Sequence, residues 1–277
     1  MKKFENIIIA SDLDGTFLSS DRGEVARNIE KIKYFTDNGG YFTFSTGRIF
    51  PHILAAAPNA GKYVNAPVVS CNGMSLYDLR EGKAYKEKFS DSALLAEVVD
   101  MLYEKYPNTA YRGITTDGVV TFQPENPYIK REMEKLGSKT YIIKREEWGN
   151  QVYHKMTLRD THEVLMEIHE IVKEHFSGKF NLCYSEDTIF EIQPLGVSKA
   201  GMLLELRDML SEGGERKTVY AVGDYENDYE MLLAADVAVC PANALDKIKA
   251  ISDLCLCDND SGVIADLIDY IDKNTGV

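Results

Sequence analysis

Short apolar runs alternate with longer segments in which apolar positions recur every three to four residues. Residues 6–11 fit a buried strand, residues 24–36 an amphipathic helix, and residues 41–45 a second strand. Gly39 and Gly40 mark the end of the helix that lies between these two strands. Strands and helices that alternate in this order are typical of a parallel sheet with crossover helices. The N-terminal part of the chain therefore predicts an α/β fold.

The pattern changes between about residues 75 and 187, where hairpin-like pieces surround two helices at 91–105 and 161–174. A strand at 188–192 is expected to lead back out of this region. From Ser198 the alternation resumes, with a helix to about residue 210, a strand at 217–222 and a helix at 226–234. We therefore expect a Rossmann-like parallel-sheet core in two parts, residues 1–82 and 189–277, with an α/β cap inserted as residues 83–188.

Charge and cysteine content narrow the function classes. The formal net charge of −13, from 31 basic and 44 acidic side chains, disfavours nucleic acid and anionic lipid as partners. No apolar run approaches the roughly 20 residues of a membrane span, so we expect a cytoplasmic protein. The five cysteines show neither disulfide nor zinc spacing. Cys255 and Cys257 are expected in a buried strand, as reduced thiols.

The first chemical signal is Asp12-Leu13-Asp14-Gly15-Thr16, directly after the first strand. Ligands of parallel α/β sheets bind at the carboxyl ends of the strands, where these two carboxylates would lie. A strand followed by this pattern can also be an ordinary turn or a calcium loop. The pentapeptide alone is therefore only suggestive of a catalytic site.

Three further elements follow in order. Thr46 and Gly47 come after the second strand, Lys199 opens a helix, and Asp224 and Asp228 follow a later strand with Asn227 between them. A hydroxyl, a backbone N–H and an ammonium match the oxygens of a phosphate, whereas the acidic pair could cap a helix or bind a cation. Singly, Thr46 fits a turn and Lys199 a solvated surface position.

Together the four elements resemble the motifs of the haloacid dehalogenase (HAD) superfamily, specifically its Cof-type phosphatases with an α/β cap between the second and third motifs. The resemblance implies that Asp12 is the nucleophile, Asp14 the general acid and base, and Lys199 a catalytic cation. It also implies a cap that selects the substrate. Phosphate binding is assigned to Thr46, Gly47, Lys199 and Asn227, and metal binding to Asp12, Asp14 (through its backbone carbonyl), Asp224 and Asp228.

Convergence of these carboxylates beside a phosphate requires a cation. At about 4 Å each uncompensated like-charge pair costs several kcal/mol at an effective dielectric constant near 20. Magnesium suits an all-oxygen site that also receives a substrate phosphate, so Mg²⁺ is the expected cofactor. The expected partner is a small phosphorylated metabolite, such as a sugar phosphate or a nucleotide or cofactor phosphate. The sequence does not indicate an oligomeric state.

Two other functions fit the same motifs. A phosphomutase or phosphotransferase would pass the phosphoryl group to a second hydroxyl instead of water. A non-catalytic phosphate-binding protein would share the fold, since fold does not imply function. The second alternative is disfavoured because Asp14, which turnover needs more than binding does, is present.

Overall fold

The structure is a computed structural model that describes residues 2–135 and 139–274. Its contacts divide the chain into two compact units. We call Met1–Arg48, Ala56–Lys86 and Ser198–Val277 the core unit, and Ile49–Ala55 and Glu87–Val197 the cap unit. The chain thus leaves the core unit and returns to it twice, through residues 49–55 and through residues 87–197.

The strands are numbered along the chain. They are β1 (Ile7–Ser11), β2 (Tyr41–Phe44), β3 (Val68–Ser70), β4 (Ser75–Asp78), β5 (Lys83–Glu87), β6 (Ala110–Ile114), β7 (Gly118–Thr121), β8 (Lys139–Ile142), β9 (Lys155–Arg159), β10 (Phe180–Glu186), β11 (Ile189–Pro194), β12 (Thr218–Val222), β13 (Val237–Pro241) and β14 (Leu254–Leu256).

The helices are numbered in the same way. They are α1 (Ala26–Asp37), α2 (Phe50–Ala56), α3 (Ala60–Tyr63), α4 (Ser92–Tyr103), α5 (Pro127–Lys135), α6 (His162–His175), α7 (Lys199–Leu210), α8 (Tyr229–Ala234), α9 (Asp246–Lys249) and α10 (Val263–Asn274). Three of them begin at capping side chains, because Asp91, Thr161 and Ser198 accept hydrogen bonds from backbone N–H groups in the first turns of α4, α6 and α7.

The main sheet of the core unit has the strand order β14-β13-β12-β1-β2, and all neighbours are parallel. Strand β1 is buried along its whole length, which explains its continuous apolar run. Ile8 and Ala10 of β1 pack in one cluster with side chains of β12, β13, α7 and α8. Strands β3, β4 and β5 form a smaller sheet. The predicted parallel α/β core is confirmed.

The cap unit contains a six-stranded sheet with the order β10-β11-β9-β6-β7-β8. Tyr111 of β6, Met156 of β9 and Phe190 of β11 lie on one face of the sheet. There they pack with Trp148 and with side chains of α4 and α6. Lys155 and Glu191 lie on the opposite face, which is polar but buried. The cap sheet is therefore covered by helices on its apolar face, and its other face carries buried polar side chains.

The end of the cap differs from the expected boundary after residue 188. Strand β11 pairs antiparallel with both β10 and β9, so residues 189–197 belong to the cap unit, and the core resumes at Ser198. The long cap segment begins at Glu87 instead of residue 83, and residues 49–55 also belong to the cap unit. The sequence predicted a strand here, but the pairing with β9 and β10 that assigns this strand to the cap unit is not visible in its own residues.

Two smaller expectations also change. Cys255 lies in β14 but is exposed, and Cys257 lies beyond the end of that strand and is only partly buried. The predicted helix at 226–234 begins as a tight turn, Glu226–Asp228, before α8. Within residues 2–135 and 139–274, no helix is both long and apolar enough to span a membrane.

Candidate active site

The carboxyl ends of three neighbouring strands bring the sequence motifs to one edge of the core sheet. Asp12 follows β1, Asp224 follows β12 and Thr46 follows β2. The N–H of Asp12 donates to the Val222 carbonyl at 2.8 Å, and the N–H of Ser45 donates to the Ser11 carbonyl at 2.8 Å. Because parallel pairing continues to the last residue of β1, the motif loops leave the sheet side by side.

The turn after Asp12 is fitted closely against Asp224. Gly15 has a φ of 76°, and a Cβ there would lie 2.5 Å from Oδ2 of Asp224. The buried Thr16 hydroxyl donates to Oδ1 of Asp224 at 2.6 Å. Sequence reasoning gave Thr16 no role, although it closes the pentapeptide. Glycine at position 15 and threonine at position 16 together fix the Asp224 carboxylate.

Lys199 is held in the centre of the site. Ser198 caps α7, and the Lys199 side chain extends from the first turn of that helix into a position where 2% of the residue is exposed. Its Nζ donates to Oδ1 of Asp12 at 2.6 Å and to Oδ1 of Asp228 at 2.7 Å. Lys199 is therefore a buried cation shared by two carboxylates.

Asp12, Asp224 and Asp228 offer carboxylate oxygens that all lie within 4.8 Å of one another. Oδ2 of Asp228 also accepts from the N–H groups of Asp224 and Tyr225, at 3.0 and 3.3 Å. With Lys199 as the only cation bonded to this cluster among the described residues, ionised carboxylates leave two negative charges uncompensated. An all-carboxylate donor set with this charge fits a hard divalent cation.

The ionisation of the cluster reflects its charge and burial. Burial, opposed by Lys199 but reinforced by Asp228 and Asp224, raises the pKa of Asp12 well above its usual range. Burial and the neighbouring Asp228 raise the pKa of Asp224 to about 6. Burial alone would lower the pKa of Lys199, but its contacts with Asp12 and Asp228 raise it. Lys199 is therefore protonated, and the carboxylates need further positive charge to be fully ionised.

Asp14 points away from this cluster toward Arg48. The guanidinium of Arg48 donates from Nε and Nη2 to the two carboxylate oxygens, both at 2.6 Å, and about half of the Asp14 side chain is exposed. In this arrangement Asp14 could serve a metal only through its backbone carbonyl, as the family resemblance implies. Arg48 was missed as a functional candidate, although it directly follows Thr46 and Gly47.

The other predicted phosphate-binding residues lie in different surroundings. Thr46 is buried, and its hydroxyl accepts from the N–H of Arg48 at 3.2 Å. Gly47 lies against Asn72, since a Cβ there would lie 3.1 Å from Oδ1 of that residue. Asn227 is half-buried in the turn before Asp228. Their contacts with a phosphate remain predictions.

The family of the chain follows from comparison with known proteins. The model of the haloacid dehalogenase-like hydrolases matches residues 9–268, and the chain belongs to this family. It is a phosphatase of the Cof type, the kind that the sequence motifs resemble. Family members use a metal ion, in agreement with the acidic cluster.

Relatives with assigned activities support this classification. The chain is 27% identical to the HMP-PP phosphatase of Serratia proteamaculans, over 88% of this chain and 86% of the relative. It is 26% identical to the 5-amino-6-(5-phospho-D-ribitylamino)uracil phosphatase YwtE of Bacillus subtilis, over 95% and 97%. A HAD/COF-like hydrolase from Plasmodium vivax shares the fold, with a TM-score of 0.84, 22% identity and coverage of 98% and 96%.

Proposed function

We propose that the chain is a Mg²⁺-dependent phosphatase that hydrolyses small phosphate monoesters through an aspartyl-phosphate on Asp12. The observation that carries the proposal is the contact of Lys199 with Asp12 inside the cluster of Asp12, Asp224 and Asp228. The contact supports the proposal because the Asp12 carboxylate, the buried ammonium of Lys199 and two further carboxylates lie together at one sheet edge. A capping or turn function would need neither the buried lysine nor the third carboxylate.

The residues divide the first step among them. The free carboxylate oxygen of Asp12 attacks phosphorus, a new O–P bond forms, and the bond from phosphorus to the leaving oxygen breaks. Lys199, together with the N–H of Gly47 and the hydroxyl of Thr46, stabilises the negative charge of the phosphoryl oxygens. Asp14 donates a proton to the departing alcohol. A bound Mg²⁺ would neutralise charge shared by Asp12, Asp224 and the phosphate.

The second step returns the enzyme to its starting state. Asp14, now ionised, removes a proton from a water molecule that attacks phosphorus and releases inorganic phosphate from Asp12. Before substrate binds, the Asp14 carboxylate is ion-paired with Arg48; it takes up a proton from solvent when it leaves this contact to act as the acid, and gives it back when the contact forms again. Asp14 must leave or share this contact to reach the leaving oxygen, so we assign Arg48 the role of holding Asp14 between turnovers.

The substrate is proposed to be a small phosphorylated metabolite, either a sugar phosphate or a nucleotide or cofactor phosphate. The two relatives described above are named as phosphatases of HMP-PP and of 5-amino-6-(5-phospho-D-ribitylamino)uracil. A release assay should therefore include phosphorylated pyrimidines, ribityl phosphates and simple sugar phosphates. A net charge of −13 disfavours polyanionic substrates.

The test is inorganic phosphate release by the wild type and by Asp12→Asn, with and without EDTA. Asp12→Asn keeps the shape of the side chain but removes the nucleophile, so turnover should fall by at least about 10⁴-fold. EDTA should silence the wild type until Mg²⁺ is restored. Asp272→Asn, which alters an ion pair with Lys3, is the control and should retain activity.

Turnover by Asp12→Asn at a rate near that of the wild type would contradict the nucleophilic role. Full activity in EDTA would contradict the metal requirement. A rearranged sugar phosphate in place of free phosphate would indicate a phosphomutase, which uses the same first step but a different acceptor.

A further inference from the structure

A loop that carries no acidic group contacts both acidic loops of the site. This loop, residues 242–245, follows β13 and leads into α9. It is anchored to the core unit by the buried side chain of Ala244 and by the N–H of Ala242, which donates to the Cys257 carbonyl at 3.3 Å. The loop is therefore a fixed support and not a free connection.

Asn243, at the centre of this loop, uses both ends of its side-chain amide. Nδ2 donates to the carbonyl of Gly15 at 2.8 Å, and Oδ1 accepts from the N–H of Asn259 at 3.0 Å. The Asn259 side chain in turn donates to the Leu18 carbonyl at 2.9 Å. Since a flipped amide would face oxygen to oxygen and nitrogen to N–H, these partners fix the orientation of Asn243.

The carbonyl that Asn243 binds belongs to the residue that packs on Asp224. The Gly15 backbone lies so close to the Asp224 carboxylate that a Cβ would be 2.5 Å from Oδ2, and Thr16 donates to Oδ1. The same loop also reaches Asp224 directly, because the N–H of Leu245 donates to the Asp224 carbonyl at 3.1 Å. The loop thus contacts both the turn after Asp12 and the backbone of Asp224, and it fixes their positions relative to each other.

We propose that Asn243 is a positioning residue for the cation site: through the Gly15 carbonyl it sets the turn that orients Asp224 toward Asp12. The proposal rests on the proposed metal-dependent function. The side-chain hydrogen bonds of Asn243 are made with the backbones of Gly15 and Asn259 and not with the carboxylates of the cluster. Its loss loosens the turn, so the carboxylates must be brought back into place each time a cation binds, and affinity for the cation falls.

The test is Mg²⁺ binding to the full chain, measured by calorimetry without substrate, for the wild type, Asn243→Ala and Asn38→Ala. Asn38 is the control, because its half-buried side chain also donates to one backbone carbonyl, that of Tyr34, at 2.8 Å. The dissociation constant for Mg²⁺ should rise about 3-fold to 10-fold in Asn243→Ala, the effect of one net hydrogen bond. In Asn38→Ala it should stay unchanged.

Stability is measured beside binding by urea unfolding in EDTA. Asn243→Ala loses the hydrogen bonds with Gly15 and Asn259, and Asn38→Ala loses one, so small decreases are expected in both variants and the larger one in Asn243→Ala. Where the wild type releases phosphate, excess Mg²⁺ should restore the rate of Asn243→Ala, which it would not do for a damaged fold. An unchanged Mg²⁺ affinity in Asn243→Ala overturns the proposal, as does a wild type that binds no Mg²⁺. A wild type that binds Mg²⁺ but hydrolyses no monoester contradicts the phosphatase and leaves the Asn243 comparison decisive.

Discussion

At the scale of single residues, small side chains determine where the carboxylates of the site lie. Gly15 leaves room for the Asp224 carboxylate, and Thr16 binds it. Lys199 joins Asp12 to Asp228. The position of each carboxylate thus depends on contacts with one or two neighbouring residues. At Gly15 the addition of a single carbon atom would disturb this geometry.

Gly15→Ala tests this sensitivity. The new Cβ would meet Oδ2 of Asp224 at 2.5 Å and would also occupy a positive φ, so we expect a large loss of Mg²⁺ affinity and of phosphate release. Gly82→Ala is the control, because Gly82 has a φ of 68° with no atom near its virtual Cβ. It should cost about 1–2 kcal/mol of stability from backbone strain and leave Mg²⁺ binding unchanged. Equal Mg²⁺ affinities in the two variants would contradict the steric role of Gly15.

The sequence predicted which residues of the short motifs lie close together. Asp12, Lys199, Asp224 and Asp228 are brought together as the motif order implied, because each follows or opens an element at one edge of a parallel sheet. Arg48 and Asn243 escaped prediction. Their contacts with Asp14 and Gly15 join positions far apart in the chain, and nothing local in the sequence specifies such contacts.

At the scale of elements, local features were again predicted and features that depend on distant residues were not. Strand β1 and helix α1 were predicted within about two residues, because their apolar period is a local property. The end of the cap was misplaced because it depends on the pairing of β11 with β9 and β10, which is non-local. Pairing partners follow from the assembled sheet, and a strand's own residues do not identify them.

An ion pair on the polar face of the cap sheet joins β9 to β11. Nζ of Lys155 donates to Oε2 of Glu191 at 2.6 Å, and both side chains are almost fully buried. Gln193 donates to the same oxygen at 2.6 Å. A buried charge is tolerated only with such partners. The stability of the pairing between β9 and β11 therefore depends on both members of the ion pair being present.

Lys155→Met should therefore destabilise the cap by about 3–5 kcal/mol, because it leaves the Glu191 charge buried without its cation. Adding Glu191→Gln removes that charge but keeps an acceptor for Gln193, so the double variant should recover part of the loss. Trp148, the single tryptophan of the chain, is buried in the cap and reports its urea unfolding by fluorescence. A double variant less stable than Lys155→Met would contradict this account.

The same pair gives the cap an acid-sensitive stability. Burial alone would raise the pKa of Glu191, but Lys155 and Gln193 lower it below its ordinary value of 4.5. A lowered folded-state pKa contributes stability above pH 4.5, which is lost as the pH falls through the folded-state value. The difference in unfolding free energy between wild type and the double variant should shrink with acidification in that range.

At the scale of the whole molecule, folding assembles a group of like charges that the unfolded chain keeps apart. The main sheet aligns three carboxylates against one lysine, and the remaining negative charge opposes folding until a cation or proton neutralises it. Mg²⁺ and protons should therefore compete to stabilise the core unit. This competition connects the chemistry of the site to the stability of the fold.

Thermal unfolding followed by circular dichroism, in EDTA and in Mg²⁺ on both sides of pH 6, measures this competition. The pKa of Asp224 is raised from 3.8 to about 6, so in EDTA its contribution to stability is present below pH 3.8 and is lost as the pH rises through about 6. Mg²⁺ binds the ionised carboxylates and should stabilise by about 2.7 kcal/mol at 100 times its dissociation constant above that pH. Below it, protons occupy the site and the gain in stability from Mg²⁺ should shrink.

In Asp224→Asn the gain in stability from Mg²⁺ should be small at every pH. A wild-type gain that is equal above and below pH 6 would contradict the coupling, because it would show that the cation binds without displacing a proton from Asp224.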